Sequence, residues 1–285
     1  MVNLTLARQP SKDWVVAIPI FNAIEVAQKS FDYLLASGVD ANRIRLLDDG
    51  STDPRWRDLR MRVTKAGGRY DRNENNQGYT ANINQAFDRE AEFVLLLNSD
   101  CLIRRVEIES LVSTLKAYPM LAGVGPLSNH AGSQTVLMAA RRSWIDLTIA
   151  EIATAIDYIS SRLAWRYGQR PHVVPSINGF CTLWRSSAVK AVGGFDAENF
   201  ARGYGEEDDF CFRLMEAGWF CAVAPWLLAV HFKTQSFSAN ERNARKPVAL
   251  ATLEKLYGRR FVRSVVDHHV KHPLLHQLAV DAVDI

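Results

Sequence analysis

Hydrophobic periodicity alternates between two patterns along the first half of the chain. Trp14 to Ile20, Arg43 to Leu47, Glu92 to Leu97 and Met120 to Gly125 are short apolar runs that read as strands. Between them, Val26 to Ser37, Arg55 to Lys65, Gln77 to Arg89 and Arg105 to Ala117 repeat apolar residues at helical spacing. Gly68 to Tyr70 begins a further short strand, and Pro119 stops the fourth helix because it cannot continue one. Strands alternating with helices predict an α/β fold with a parallel sheet and right-handed crossovers.

The pattern then changes. Ile145, Ile149, Ile152, Ile156 and Ile159 stand at helical spacing, so Arg141 to Tyr167 is expected as one long helix or a broken pair. Such an insertion either walls an adjacent site or only packs. Strand character resumes from His172 to Ile177, followed by a short strand and helix to Val192. Glu206 to Ala217 reads as a helix ended by Gly218. Trp219 to Ala224 and Leu227 to Val230 read as two short strands, and the chain from Glu241 onward as helical.

Length and composition change this picture little. The 285 residues are 48% hydrophobic and 23% charged, which suits a globular chain with a sizeable core. A net charge of +3 with scattered Lys and Arg argues against a nucleic-acid partner. The four cysteines, Cys101, Cys181, Cys211 and Cys221, lack C-x-x-C spacing and sit in apolar surroundings. They read as reduced core thiols, which favours a cytoplasmic location. No signal pattern and no membrane-length apolar run is present, so membrane contact is expected to be peripheral at most.

The chemistry-bearing residues follow the predicted strands. Leu95-Leu96-Leu97 runs directly into Asn98-Ser99-Asp100. A buried strand has no use for a carboxylate, so Asp100 should emerge at the strand's C-terminal end, where ligands bind in open α/β sheets. Asp48-Asp49-Gly50-Ser51-Thr52-Asp53 follows the second strand. Its carboxylates can accept from a base or ribose, Gly50 permits a tight turn, and Asp53 is read as a helix cap. Asn75-Asn76-Gln77-Gly78 opens a helix whose free N–H groups suit phosphates, and Asn82 within it needs a partner. A divalent cation on a diphosphate would explain why Asp100 stays charged, and His231 at the end of the last apolar strand could complete that site. Glu206-Glu207-Asp208-Asp209 crowd one helix start, where mutual repulsion can raise a pKa towards that of a general base. Asp209 is set to pair with Arg213 one turn on.

These motifs together resemble family 2 inverting glycosyltransferases of GT-A fold, in the bacterial rhamnosyltransferase-like branch. The donor-side resemblance lies in Asp48 to Asp53, Asn76-x-Gly78 and Leu97 to Asp100. The acceptor-side resemblance lies in Ile177 to Cys181, Gly193-Gly194-Phe195-Asp196, Glu206 to Arg213, and His231 with Ser236 and Phe237. It covers roughly Trp14 to Phe237. It implies a Rossmann-like, mostly parallel sheet flanked by helices within residues 1–240. The nucleotide-sugar half would span about 14–130, a helical insertion about 141–170 and an acceptor half about 172–240, with 241–285 a helical extension.

The resemblance further implies roles. Asp48 and Asp49 would hold a uracil or thymine ring and ribose. Pro19, Asn76, Gly78, Asn82, Asn98, Ser99 and Gly179 would line the nucleotide-sugar site. Asp100 and His231 would bind Mn²⁺ or Mg²⁺, and Glu207 would be the base, with Glu206 and Asp208 as alternatives. Two departures stand out: Asn98 replaces the first carboxylate of a DXD motif, and Glu207 stands where an Asp is usual. The expected activity is metal-dependent transfer from a UDP- or dTDP-sugar to a hydroxyl of a glycan or lipid-linked saccharide, in bacterial surface polysaccharide synthesis. Trp184 and the 141–167 insertion are further candidates to shape the acceptor pocket, and the C-terminal helices are candidates for oligomer or membrane contact. The alternatives are a sugar nucleotidyltransferase, which lacks support because Pro19-Ile20-Phe21-Asn22 is no phosphate loop, and a non-catalytic nucleotide- or glycan-binding domain. A dehydrogenase is excluded by the absence of G-x-G-x-x-G after a strand.

Overall fold

A computed structural model describes residues 13–87, 91–140, 142–201, 203–232 and 239–280. The elements run β1 (Trp14–Ile20), α1 (Ile24–Ala36), β2 (Ile44–Asp48), α2 (Trp56–Lys65), β3 (Arg69–Arg72), α3 (Tyr79–Asn84), β4 (Phe93–Leu97), β5 (Cys101–Leu102), α4 (Arg105–Ala117) and β6 (Leu121–Ser128). They continue with α5 (Leu137–Ala140), α6 (Ile149–Tyr167), β7 (His172–Val174), β8 (Cys181–Arg185), α7 (Ser186–Ala191), α8 (Glu206–Glu216), β9 (Phe220–His231), α9 (Ala239–Tyr257), α10 (Arg259–Lys271) and α11 (Pro273–Val280).

The architecture is α/β, with one sheet in the order β3-β2-β1-β4-β8-β6-β9-β5 and β7 also paired to β9. From β3 to β4 neighbouring strands are parallel, as the alternating sequence pattern predicts. β6 and β9 are parallel as well. The departure is β8, which lies antiparallel between β4 and β6. β5 and β7 also run antiparallel to β9. Side-chain period alone does not distinguish the direction in which a buried strand runs. Both faces of the sheet are covered: Val16, Ile18, Leu95 and Leu97 pack into one apolar cluster, and Ala17, Val94, Leu96 and Trp184 into the other.

Several boundaries differ from expectation for identifiable reasons. The two strands expected around Pro225 are one strand, β9, which absorbs the proline and its neighbours at a register shift opposite Pro126 and Leu127. The helix expected from Gln77 starts two residues later, because Gly78 has a positive φ of 92° and acts as its N-cap, and it tightens to a 3₁₀ turn at Gln85–Phe87. α6 begins only at Ile149, where Thr148 and Glu151 form a capping box. Ile145 therefore falls outside the helix and is exposed, whereas Ile152, Ile156 and Ile159 are buried in the core. Arg55 rather than Asp53 is the N-cap residue of α2, although Asp53 accepts from the Arg55 N–H just before it. α8 ends as expected: the Gly218 and Trp219 N–H groups bond back to Met215 and Leu214 carbonyls, with Gly218 at φ 83°.

Trp184, a candidate for the acceptor pocket, is instead a core residue. It is 1% exposed and meets the Phe210 ring edge-on at 5.0 Å and the Phe195 ring at 5.9 Å. Its place in the middle of the inserted strand β8 turns it inward. Replacing Trp184 by Ala should lower stability by about 3–5 kcal/mol, the range for deleting a large buried aromatic, read from urea denaturation midpoints at constant m-value.

Candidate active site

The loop after β2 is built around two buried carboxylates. Asp48 accepts from the Ser51 N–H and Tyr70 hydroxyl, both at 2.9 Å, and is paired with Arg72. Asp49 accepts from Asn73 Nδ2 and the Gln77 N–H at 2.8 Å, and from the Gly78 N–H at 2.9 Å. The carboxylates thus tie β2 to the loop that opens α3. Asn76 Oδ1 also accepts from the Gly78 N–H, at 3.0 Å, in a local Asx turn. Gly78 is required twice, by its positive φ and because a Cβ there would run into the Ala201 carbonyl. Asn82 is buried in α3 and donates to the Leu47 carbonyl at 2.8 Å, the partner that its poor helix propensity demands. Pro19 lies in β1 opposite Leu47, one residue before the strand's end.

Asp100 emerges where β4 ends and is 6% exposed, beside the buried Ser99. Residue 101 opens β5, paired to His231 at the end of β9, and this register brings the imidazole to the aspartate. His231 Nε2 lies 3.3 Å from Asp100 Oδ1. The opposite ring nitrogen, Nδ1, is 2.7 Å from the His130 carbonyl and donates to it, which fixes the ring with Nε2 turned to Asp100. The ring is clamped by stacking on Phe180 at 5.5 Å and by backbone bonds to Asn129. Asp100, Cys101 and His231 offer donor atoms within 4.8 Å of one another. Burial and the neighbouring Asp100 charge push the Cys101 thiol well above its usual range, so it stays protonated. A carboxylate and an imidazole held this way suit a hard divalent cation that also takes phosphate oxygens.

The acidic cluster opens α8. Glu206 is 3% exposed and one of its oxygens, Oε2, has no hydrogen-bond partner. Burial, with Glu207 and Asp208 nearby, holds it well above the ordinary carboxylate range, which favours its protonated form. Glu207 is half-buried, and burial together with Asp208 raises it to about 7 against the stabilising Gly179 N–H. That N–H donates to Glu207 Oε1 at 2.9 Å. A Cβ on residue 179 would collide with this carboxylate, so only glycine permits the contact. Burial also raises Asp208, while Ser176 and His269 oppose the shift. Asp209 is apart from the others: it pairs with Arg213 at 2.7 Å, as the i,i+4 spacing predicts, and accepts from the Tyr257 hydroxyl at 2.6 Å.

The Asp100–His231 pair and the acidic cluster are linked through one short segment. Asn178 to Phe180 joins them: Gly179 holds Glu207, the Phe180 carbonyl accepts from the Asn98 N–H at 2.9 Å, and the Phe180 ring holds His231. Tyr79 stands between them, with its hydroxyl 3.4 Å from Asn98 Oδ1. Burial keeps its phenol well above the usual range, and Glu206, Glu207, Cys101 and Asp100 all add to that shift. One ring therefore feels both clusters.

The chain matches the profile of "Glycosyl transferase family 2" over residues 15–181, more than half its length. The chain belongs to glycosyl transferase family 2. Among curated relatives it is similar to an N-acetylglucosaminyl-diphospho-decaprenol L-rhamnosyltransferase of Mycobacterium tuberculosis, at 26% identity over 219 residues, covering 68% of this chain and 67% of the relative. Among solved structures it resembles GalNAc-T7 with UDP, GalNAc and Mn²⁺ at a TM-score of 0.60 and 14% identity, covering 85% of this chain and 47%, or about half, of that one. It also resembles glucosyl-3-phosphoglycerate synthase from M. tuberculosis, with Mn²⁺, UDP and glucosyl-3-phosphoglycerate, at a TM-score of 0.55 and 15% identity, covering 86% of this chain and 79% of that one. These neighbours identify the fold as GT-A.

In this glycosyltransferase, sequence reasoning passed over Tyr79, His130 and His269. Tyr79 follows Gly78 directly, a local hint, but its place between the clusters comes from the packing of α3 against the 200–201 loop. His130 acts through its backbone carbonyl, which leaves no trace in residue type. The Ser236-Phe237 part of the acceptor-side motif lies outside the described residues. Among the described residues, none of 142–167 lines the cavity beside Glu207, and α6 buries Ile152, Ile156 and Ile159 as a packing helix.

The raised carboxyls make stability depend on pH. Glu206, Glu207 and Asp208 hold protons more tightly folded than unfolded, so their contribution is fully present below the ordinary carboxylate range and is lost as pH rises through their raised folded values, about 7 for Glu207. The thermal midpoint should fall between pH 5 and 8, and Glu206→Gln should flatten that slope. An unchanged slope would remove Glu206 from the linkage.

Proposed function

We propose that the chain is an inverting transferase that moves a sugar from a nucleoside diphosphate-sugar, a UDP- or dTDP-sugar, to a hydroxyl of a glycan or lipid-linked saccharide. The observation that carries this reading is that adjacent residues hold both groups, Gly179 the raised Glu207 and Phe180 the imidazole of the Asp100–His231 pair. A M. tuberculosis relative named for a diphospho-decaprenol acceptor supports the lipid-linked class. Synthesis of bacterial surface polysaccharide at the inner face of the membrane fits such an acceptor. Among the described residues no helix is long and apolar enough to cross a membrane.

The donor nucleotide would bind along the C-terminal ends of β1 and β2, with Pro19, Asp48, Asp49, Asn76, Gly78 and Asn82 around base and ribose. Asn98 and Ser99 lie on the path to the diphosphate, and Asn98 has an amide where a charged ligand is unnecessary. Asp100 and His231 would hold Mn²⁺ or Mg²⁺, the imidazole favouring Mn²⁺. The bound cation would neutralise charge on the departing diphosphate. Glu207 takes the proton of the acceptor hydroxyl as its oxygen attacks the anomeric carbon from the face opposite the diphosphate. The new C–O bond forms, the bond to the diphosphate oxygen breaks, and the nucleoside diphosphate leaves with the electron pair. Burial that favours the protonated form of Glu206 limits negative charge beside the base, and Glu206 and Asp208 are the alternative bases. A non-catalytic binding domain would have no need for a carboxyl tuned to about 7.

Glu207→Gln should leave Mn²⁺-dependent nucleotide binding intact and lower turnover by roughly 10²–10⁴-fold. Wild-type kcat should rise with pH through about 7 as Glu207 loses its proton. Full turnover in the variant would move the base to Glu206 or Asp208. Thermal shift against UDP-, dTDP- and GDP-sugars identifies the donor. Asp100→Ala should abolish the Mn²⁺-dependent part of the shift, and equal shifts with and without Mn²⁺ in the wild type would sink the metal assignment.

A further inference from the structure

A cavity of about 340 Å³ opens beside Glu207, and its two sides differ in origin and chemistry. One side is the polar edge of the transfer site, with Ser176, Glu207 and Asp208. The other comes from the C-terminal helices, with Leu250 and Leu253 of α9 and Val262, Val265, Val266 and Val270 of α10. The four valines fall at spacings of three, one and four residues, which places them along one helix face. Part of this wall is open to water: Leu250 is 44%, Val266 51% and Val270 64% exposed. Lys246 also lines the cavity and brings a positive charge to it. His269 does not, because burial keeps its imidazole below the ordinary range and so neutral at pH 7.

The wall is anchored rather than adventitious. Phe212 of α8 meets Tyr257 and Phe261 edge-on at 5.2 and 5.3 Å, and Tyr257 donates to Asp209 in the acidic cluster. Phe200, Phe212, Leu253 and Val262 form a small separate core under the cavity. The C-terminal helices are thereby fixed to the same helix that carries the base. A saccharide is recognised by hydrogen-bonding groups, and this wall offers almost none. Exposed apolar surface continuous with a catalytic cleft calls for an apolar part of the substrate to cover it.

We propose that α9 and α10 form the subsite for the aliphatic chain of the acceptor, which is a saccharide carried on a phosphorylated polyisoprenoid or similar long alkyl chain. The sugar hydroxyl sits at Glu207, the chain lies along Leu250, Val266 and Val270, and Lys246 meets the phosphate. This rests on the transfer reading above and extends it to acceptor class and to the residues that select it.

The test uses the full chain and two probes, farnesyl phosphate and ethyl phosphate, with binding followed by calorimetry below micelle-forming concentrations. Farnesyl phosphate should bind at least tenfold more tightly than ethyl phosphate. Val266→Glu and Leu250→Glu should each remove at least tenfold of that affinity and leave Mn²⁺-dependent nucleotide binding unchanged. Both positions are open to water, so folding should survive, and unchanged melting curves check this. Met61→Glu, a more exposed apolar position on α2, should change nothing. Equal binding of the two phosphates, full farnesyl phosphate affinity in both cavity variants, or a matching loss in Met61→Glu would overturn the proposal. Failure of the wild type to bind any nucleotide would instead strike the transfer reading and leave the chain-length result legible.

Discussion

Three consecutive residues, Asn178 to Phe180, bear the geometry of the site. The Gly179 N–H fixes the base candidate, the Phe180 carbonyl receives the Asn98 N–H, and the Phe180 ring holds the imidazole of His231. These contacts exist because β8 is inserted antiparallel between β4 and β6. Reversing the strand brings its N-terminal approach to the edge at which β4 releases Asn98 and Asp100. A parallel β8 would start at the opposite edge, and the acceptor-side motif would be a strand length from the donor-side motif.

The electrostatics around that peptide conflict in a way that stability alone would not select. Glu206, Glu207 and Asp208 share one helix start, where the positive end of the macrodipole favours negative charge. Burial outweighs this, because all three carboxyls are raised rather than lowered. The fourth, Asp209, escapes by pairing with Arg213 and Tyr257. A cluster that resists ionisation at neutral pH is costly to the fold and useful to proton transfer. The donor loop shows the opposite economy: Asp48 and Asp49 are buried with abundant donors, so they organise the loop that would meet a nucleotide.

Much of this was legible in residue order. The alternation through Ala117 gave the α/β class, and Asp100 at the end of an apolar run, Asn82 in a helix and Gly218 after one each announced a structural demand that the fold meets. The failures share one cause, which is dependence on neighbours distant in sequence. Ile145 and Ile149 fit the same period as Ile156, yet only the capping box at Thr148 decides where the helix starts. Pro225 read as a break because its accommodation at a register shift depends on the partner strand β6. Trp184 could have faced a sugar or the core, and its packing against Phe195 and Phe210 turned it inward.

The local pattern therefore determined which segments are strands and helices, which residue types can carry charge or bind a cation, and the family to which the chain belongs. Tertiary structure decided direction, proximity and protonation. It reversed β8, aimed His231 Nε2 at Asp100 through the His130 carbonyl, set Tyr79 near both Asp100 and the acidic cluster, and folded the C-terminal tail into one wall of the cavity beside Glu207. The reason is physical: periodicity and capping act over a few residues, whereas a pKa and a ring orientation depend on whatever packing brings within a few ångströms.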